Sequence, residues 1–342
     1  MTAEDIRFDV TPAVKVLALW PRDSAATETP HPAASDQRKA ALRIATGPGY
    51  RTLRAFQSEQ NRCFMTDPEV QRALLYPDSP VCGIWLAPAF RIRGALDSLL
   101  DEMARRGPAL REAIAARADR YLPPRSWAPV PIFVVVSSPL SFDAATLPEA
   151  GVGRPAVIVN ATDVLPYAPT AREQVDVLQH VLAHETFHAG IQQMERSAPG
   201  WAGYGLPPRS ANAYIARVLL DEGVAHYIDW RDRAGSDTLF TKKPGPREKH
   251  AFAQLALASK RLSERTDPGF RDEVVQLAAS GPLWSKYGAI SGMFAAYRIE
   301  SRLGVDSLRA AIVGGPRVFL RMYAGVAAAD TSLGRVPAEF AK

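Results

Sequence analysis

Most of the chain spaces its hydrophobic residues three or four positions apart, with polar residues between them, which is the pattern of amphipathic helices. The pattern is helical from Asp36 to about Leu122, and it resumes near residue 171. Gly107-Pro108 is a helix stop signal, so we expect two helices there and not one. The main predicted helices cover 87–106, 109–121, 171–194, 208–233, 247–265, 268–279, 283–303, 305–313 and 316–324.

Two short segments have a different pattern. Pro129–Val136 is rich in β-branched and aromatic residues, and Ala156–Val159 is a short β-branched run, so each predicts a strand. The two segments form a sheet only by pairing with each other or with strands that the pattern does not reveal. We therefore expect an α+β fold that is mainly α-helical, with a small β-sheet at about 130–160.

Composition narrows the classes of partner. The chain has 342 residues, of which 47% are hydrophobic and 23% charged, which excludes wholesale disorder. The net charge is +5, from 41 Lys and Arg against 36 Asp and Glu. Because the Arg residues are interleaved with acidic ones, we expect no nucleic-acid partner. No apolar run approaches the roughly 18 residues of a membrane helix, so we expect no membrane span.

Two features bear on the compartment. The N-terminal sequence MTAEDIRFDV lacks the apolar segment of a signal peptide. Cys63 and Cys82 are too few for a disulfide framework. They fit one bridge in an oxidising compartment as well as two free thiols in the cytoplasm. The sequence therefore leaves two localisations open, the cytoplasm and the compartment of a mature secreted or periplasmic protein.

Histidine is scarce in this chain, and its distribution locates the candidate chemistry. Four of the six histidines lie between His180 and His226. Within this region, His184-Glu185-Thr186-Phe187-His188 fits H-E-x-x-H, for which chance gives roughly 0.005 matches in a chain of this composition. A helix over 171–194 places both motif imidazoles on one face, where they can bind one metal ion. Glu185 is turned about 100° away and suits the general base of a zinc hydrolase.

A catalytic zinc ion needs a third protein ligand and an open position. The metzincin pattern fails because residues 191 and 194 are Ile and Met. Glu222 lies 34 residues after His188, in another predicted helix and next to Gly223. A Gly inside a helix costs about 1 kcal/mol against Ala, which indicates that another backbone packs closely there. We expect that backbone to be the H-E-x-x-H helix, and we predict Glu222 as the third ligand.

The segments HETFH and DEGVAHY resemble the gluzincin type of zinc metallopeptidase, in which a second motif supplies a Glu ligand. Over about 130–325 the chain also resembles uncharacterised bacterial families of zinc-dependent proteases. These families combine a strand ending in I-V-N, an H-E-x-x-H helix and an E-G-x-A motif. The resemblance implies a zincin-like metallopeptidase domain over 126–342, preceded by a helical region over 1–125 that packs on it.

The resemblance also implies a role for each candidate residue in the hydrolysis of a peptide or protein substrate. One Zn²⁺ ion would be bound by His184, His188 and Glu222. Glu185 would take a proton from the attacking water and pass it to the leaving amine. The strand Ala156–Asn160 would be the sheet edge against which an extended substrate pairs.

An oxyanion that forms during the reaction needs a hydrogen-bond donor besides the metal. Tyr287 is the favoured candidate, because Gly288 and Gly292 let its helix pack close to the site. The other candidates are Tyr227, His226 and Tyr204.

Two further histidines have open roles. His180 shares the stripe of the motif histidines, but 180–188 spans about 12 Å of helix, too far for one small ion to bind all three. His226 stands where thermolysin-like enzymes place an Asp that orients a ligand His. Asp221 and Asp229 are the alternatives for that role.

The main alternative function is a catalytically inactive, protease-like protein that binds zinc and serves as a binding module. Glu185 argues against it, because a purely structural zinc ion has no use for a base. A ferritin-like di-iron bundle needs two Glu-x-x-His motifs, and the spacing of Glu222 and His226 is one residue too long for the second.

Overall fold

The computed structural model describes residues 1–20, 35–61, 63–82, 84–137, 143–148, 152–205, 209–265 and 267–341. These residues are mainly helical and include one small mixed sheet, which confirms the α+β class. The strands are β1 (Ile6–Asp9), β2 (Val130–Val135), β3 (Ala144–Leu147) and β4 (Ala156–Asn160). The helices are α1 (Thr11–Ala18), α2 (Ser35–Ala45), α3 (Pro48–Asn61), α4 (Asp67–Leu75), α5 (Ala87–Arg91), α6 (Arg93–Asp119), α7 (Ala161–Val164), α8 (Ala171–Glu195), α9 (Ala211–Arg231), α10 (Ser236–Leu239), α11 (Pro246–Glu264), α12 (Pro268–Gln276), α13 (Tyr287–Leu303) and α14 (Val305–Ala328).

The chain forms two compact units. The first, here called the sheet unit, consists of Thr2–Ala115 and Trp127–Ala189. The second, the helical unit, consists of Met1, Ala116–Ser126 and Gly190–Lys342. Each unit draws on residues from both sides of position 125, and the division into 1–125 and 126–342 stays a prediction.

In the sheet unit, the strand order is β1-β2-β4-β3. The first three strands are parallel, and β3 runs antiparallel to β4. The two predicted strands are confirmed as β2 and β4, and they pair with each other, with Ile132 opposite Val157.

The expectation that Ala156–Asn160 is the sheet edge is wrong, because β4 lies between β2 and β3. Among the described strands the edge on this side is β3. It escaped the sequence pattern because Ala-Ala-Thr-Leu has weak strand propensity. The other missed strand, β1, is only four residues long.

The centre of the sheet is enclosed within its unit. Every residue of β2 and β4 is buried, as expected for strands covered on both faces. From α3, the Tyr50 hydroxyl donates to the Val136 carbonyl at 2.6 Å, and burial raises the pKa of this hydroxyl. In the same unit, Cys63 and Cys82 form a disulfide with their Cα atoms 5.7 Å apart.

The expected break at Gly107-Pro108 is wrong, because α6 runs through both residues. A Cβ atom built at Gly107 would meet nothing within 4 Å. Pro108 removes one backbone donor from the helix interior. Gly107 therefore lies at an open position of the helix, which continues to Asp119.

In the helical unit, α9 and α13 touch backbone to backbone. A Cβ atom at Gly292 would lie 1.9 Å from the Leu219 carbonyl oxygen, and one at Gly223 would lie 2.5 Å from the Gly292 Cα atom. The close approach predicted from Gly223 is confirmed, and the backbone that Gly223 meets is that of α13.

Two other features stabilise the helical unit. α14 is kinked at Gly315, whose φ is 79° and where a Cβ atom would lie 2.1 Å from the Gly200 carbonyl oxygen. The guanidinium of Arg298 pairs with Glu248, and both side chains are almost fully buried.

Among the described residues, no helix has the length and apolar character needed to cross a membrane.

Candidate metal centre

The motif histidines lie on α8, and the sequence explains why this helix forms. At its N-terminus the Glu173 backbone N–H donates to the Thr170 hydroxyl, which itself donates to the Glu173 carboxylate, so Thr170 caps the helix. No Pro or Gly interrupts the segment before Gly190. The predicted helix over 171–194 is confirmed within one residue at each end.

The two imidazoles of His184 and His188 approach each other through their Nε2 atoms. Their Nε2 atoms are 3.0 Å apart, and each residue is 8% exposed. Two nitrogens bound to one tetrahedral zinc ion at about 2.05 Å each lie about 3.3 Å apart. The pair is therefore close to the geometry of two ligands of one ion, although the same separation also suits a hydrogen bond between one protonated and one unprotonated ring.

Glu185 is buried beside this pair, and its two carboxylate oxygens have different surroundings. Oε1 lies 3.8 Å from the Nε2 atom of His184. Oε2 accepts a hydrogen bond of 2.7 Å from the hydroxyl of Thr146 in β3. The carboxylate thus has one oxygen held by the sheet and one turned towards the imidazole nitrogens.

Glu222 lies on α9, whose N-terminus is capped by the Ser210 hydroxyl. Between Ile215 and Asp229, a stretch that is described throughout, Glu222 is the one residue that is not fully buried. The neighbouring Asp221 is paired with Arg217 at 3.2 Å, and Arg217 also pairs with Glu195. Glu222 is therefore the acidic residue of this stretch with the most exposure to solvent or ligand.

The remaining candidates in this region are buried. His180 and His226 are 8% and 7% exposed, and Asp229 forms an ion pair with Arg233. His184 and His188 belong to the sheet unit, whereas Glu222, His226 and Asp229 belong to the helical unit.

Tyr287 has a different environment from the one expected of an oxyanion donor. It is 6% exposed in the helical unit, and its hydroxyl donates to the Val274 carbonyl oxygen at 2.8 Å. Burial raises the pKa of this hydroxyl. Its one proton is engaged by the backbone, which favours a structural role for Tyr287.

The other tyrosine candidates also have their own contacts. Tyr227 packs in an aromatic cluster in the helical unit with Tyr121, Phe240 and Tyr297. Tyr204 lines a cavity of about 490 Å³ in the same unit, together with Arg209 and Arg317. The predicted metal ligands and Glu185 do not line this cavity, so it is not the candidate metal centre.

The comparison with known proteins adds a family. Residues 64–332, more than three quarters of the chain, match the sequence model of a family described as "Putative zinc dependent peptidase (DUF5700)". The chain belongs to this family. Its description supports a zinc-dependent hydrolase of peptidase type, and the matched range includes every predicted ligand and the predicted base. Neither the curated proteins nor the solved structures contain a match to the chain.

Sequence reasoning missed Thr146. Its relation to Glu185 depends on β3, a strand that the sequence pattern did not reveal, and on a contact across 39 positions. An isolated Thr in an Ala-rich segment carries no local pattern that indicates such a contact.

Proposed function

We propose that the chain is a zinc-dependent peptidase of the gluzincin type, with a zincin-like arrangement of sheet and H-E-x-x-H helix. The observation that carries the proposal is the arrangement on α8. Two buried imidazoles approach each other with their Nε2 atoms 3.0 Å apart, and Glu185 directs one carboxylate oxygen towards them. Membership of the family supports the same assignment at a coarser level.

In this proposal zinc would be held by His184, His188 and Glu222. Two imidazole nitrogens and one carboxylate oxygen are a donor set that suits zinc and leaves a fourth position for a reactant. The partial exposure of Glu222 on an otherwise buried helix supports its selection as the third ligand. A bound zinc ion supplies Lewis acidity, which polarises a substrate carbonyl and lowers the pKa of water.

Glu185 acts as the general base and then as the general acid. It accepts a proton from the attacking water at Oε1, the oxygen nearer to the His184 nitrogen, and transfers that proton to the leaving amine. Its buried position restricts bulk water around the carboxylate. A binding module that only held zinc would not need an acidic side chain at this position.

The substrate, in this proposal, is a peptide or protein segment in extended conformation. β3 replaces β4 as the strand with which it pairs, because β3 is the edge among the described strands. Unpaired backbone groups of an edge strand bind an extended peptide by β-augmentation. β3 is also the strand whose Thr146 contacts Glu185, so a peptide paired there would lie near the base.

The experiment that tests the proposal compares wild type with Glu185→Gln. The change preserves the size of the side chain but removes the base, so we expect zinc content to stay at the wild-type level and hydrolysis of fluorescently labelled casein to fall at least about 100-fold. Full activity in Glu185→Gln would exclude Glu185 as the base. Zinc binding without any hydrolysis by wild type would favour the binding module.

A further inference from the structure

One hydroxyl of the sheet contacts the candidate base. In the sheet unit, the Thr146 Oγ1 atom lies 2.7 Å from the Glu185 backbone oxygen and 2.7 Å from the Oε2 atom of the same residue. Thr146 is half-buried on β3, and Glu185 is 8% exposed on α8. A side chain on the edge strand therefore contacts both the backbone and the carboxylate of the proposed base.

The hydroxyl has a single proton and can donate it to only one of these two acceptors at a time. The backbone carbonyl of Glu185 lies inside α8, where helical geometry already gives it an N–H partner four residues later. An ionised carboxylate is the stronger acceptor. The donation from Thr146 therefore goes preferentially to Oε2.

This hydrogen bond distinguishes the two oxygens of the carboxylate. With Oε2 held by Thr146, Oε1 is the atom that lies 3.8 Å from Nε2 of His184. The same His184 nitrogen lies 3.0 Å from Nε2 of His188. Without the hydroxyl, Oε2 would lose this contact with the sheet, and the orientation of the carboxylate relative to His184 would be less well defined.

We propose that Thr146 is a positioning residue, whose hydroxyl holds Oε2 of Glu185 so that Oε1 faces the imidazole nitrogens. This inference rests on the proposed function, in which Glu185 is the base. A base that is displaced from its productive position loses a large part of its rate advantage even when every reacting group is present.

The first test is kinetic and uses zinc-loaded protein with fluorescently labelled casein over a range of concentrations. Thr146→Val keeps the shape of the side chain but removes the hydroxyl, so kcat should fall about 10- to 100-fold while KM stays within about twofold. Thr146→Ser restores the hydroxyl and should return kcat to within about threefold of wild type.

The matched control is Thr162→Val. Thr162 is 6% exposed in the same unit and donates to the Ser137 carbonyl at 2.6 Å, so the variant also loses a buried hydrogen bond but does not affect Glu185. Its kcat should stay within about twofold of wild type. A fall in kcat equal to that of Thr146→Val, or a Thr146→Val variant with wild-type kcat, would overturn the proposal.

The second test needs no activity and no metal. Glutamate labelled with ¹³C at the carboxyl carbon gives one NMR signal per residue, and the Glu185 signal is identified by its absence from Glu185→Gln. We expect this signal to move in Thr146→Val and to stay in place in Thr146→Ser and Thr162→Val. An unmoved signal in Thr146→Val would show that the hydroxyl does not hold the carboxylate. If wild type hydrolyses no casein, the proposed function fails, and this comparison alone decides whether Thr146 orients Glu185.

Discussion

The backbone contact between α9 and α13 gives a sharp prediction for Gly292→Ala. The added Cβ atom would lie 1.9 Å from the Leu219 carbonyl oxygen, whereas ordinary contact begins at 3.4 Å. The two helices must therefore separate by about 1.5 Å, at an overpacking cost of about 1–3 kcal/mol or more. The higher helix propensity of Ala than of Gly offsets at most about 1 kcal/mol of this cost. We expect a net loss of about 2 kcal/mol, or about 4–8 °C in Tm.

The matched control is Gly325→Ala in α14, where a Cβ atom would meet nothing within 4 Å. This variant should be more stable than wild type by about 0.5–1 kcal/mol. Thermal unfolding followed by circular dichroism measures both variants. Because Glu222 lies on α9 beside Gly223, Gly292→Ala should also weaken zinc binding. We expect Tm to fall in Gly292→Ala and to rise in Gly325→Ala. A Gly292→Ala variant as stable as wild type would refute the close packing of α9 on α13.

Three further changes test other parts of the structure. Tyr287→Phe should lower the free energy of unfolding by about 1–3 kcal/mol, because a buried carbonyl loses its donor, and should leave kcat on casein unchanged. A loss of kcat without a loss of stability would instead support Tyr287 as an oxyanion donor. Arg298→Met should lower the free energy of unfolding in urea by about 3–5 kcal/mol, because Glu248 would remain buried without its partner; adding Glu248→Leu should recover most of the loss. Reduction of the Cys63–Cys82 disulfide should lower the free energy of unfolding by about 3 kcal/mol. Thermal unfolding with and without dithiothreitol measures this loss, and equal Tm values would contradict a stabilising bridge.

Two of the Gly-Pro dipeptides, Gly107-Pro108 and Gly315-Pro316, show where sequence prediction of the fold succeeds and where it fails. Both are helix stop signals by sequence, and the break predicted between 313 and 316 is confirmed by the kink at Gly315. There the Gly200 carbonyl excludes a side chain and the backbone adopts positive φ. At Gly107 no neighbouring group intrudes, and α6 continues. Tertiary contact, which the sequence does not display, decides between the two outcomes.

The candidate site also has features that the sequence predicts and features that depend on tertiary contacts. The relation of His184 to His188 is set by a four-residue helical spacing, so the sequence was sufficient to predict it. The central strands β2 and β4 were predicted because most of their residues are strongly β-forming, and the structure shows that every residue in them is buried. The edge strand β3 and the contact of Thr146 with Glu185 depend on pairing between distant segments, and neither leaves a periodic pattern in the sequence.

The most direct test of the account is the zinc content of the purified protein, measured by mass spectrometry of the metal together with protein concentration. We predict about one zinc ion per chain in wild type and in Glu185→Gln, and less than about one tenth of that in His188→Ala, because an imidazole ligand is lost. Circular dichroism of His188→Ala controls for folding. Substoichiometric zinc in wild type, or an unchanged zinc content in a folded His188→Ala variant, would contradict the assignment of the metal centre.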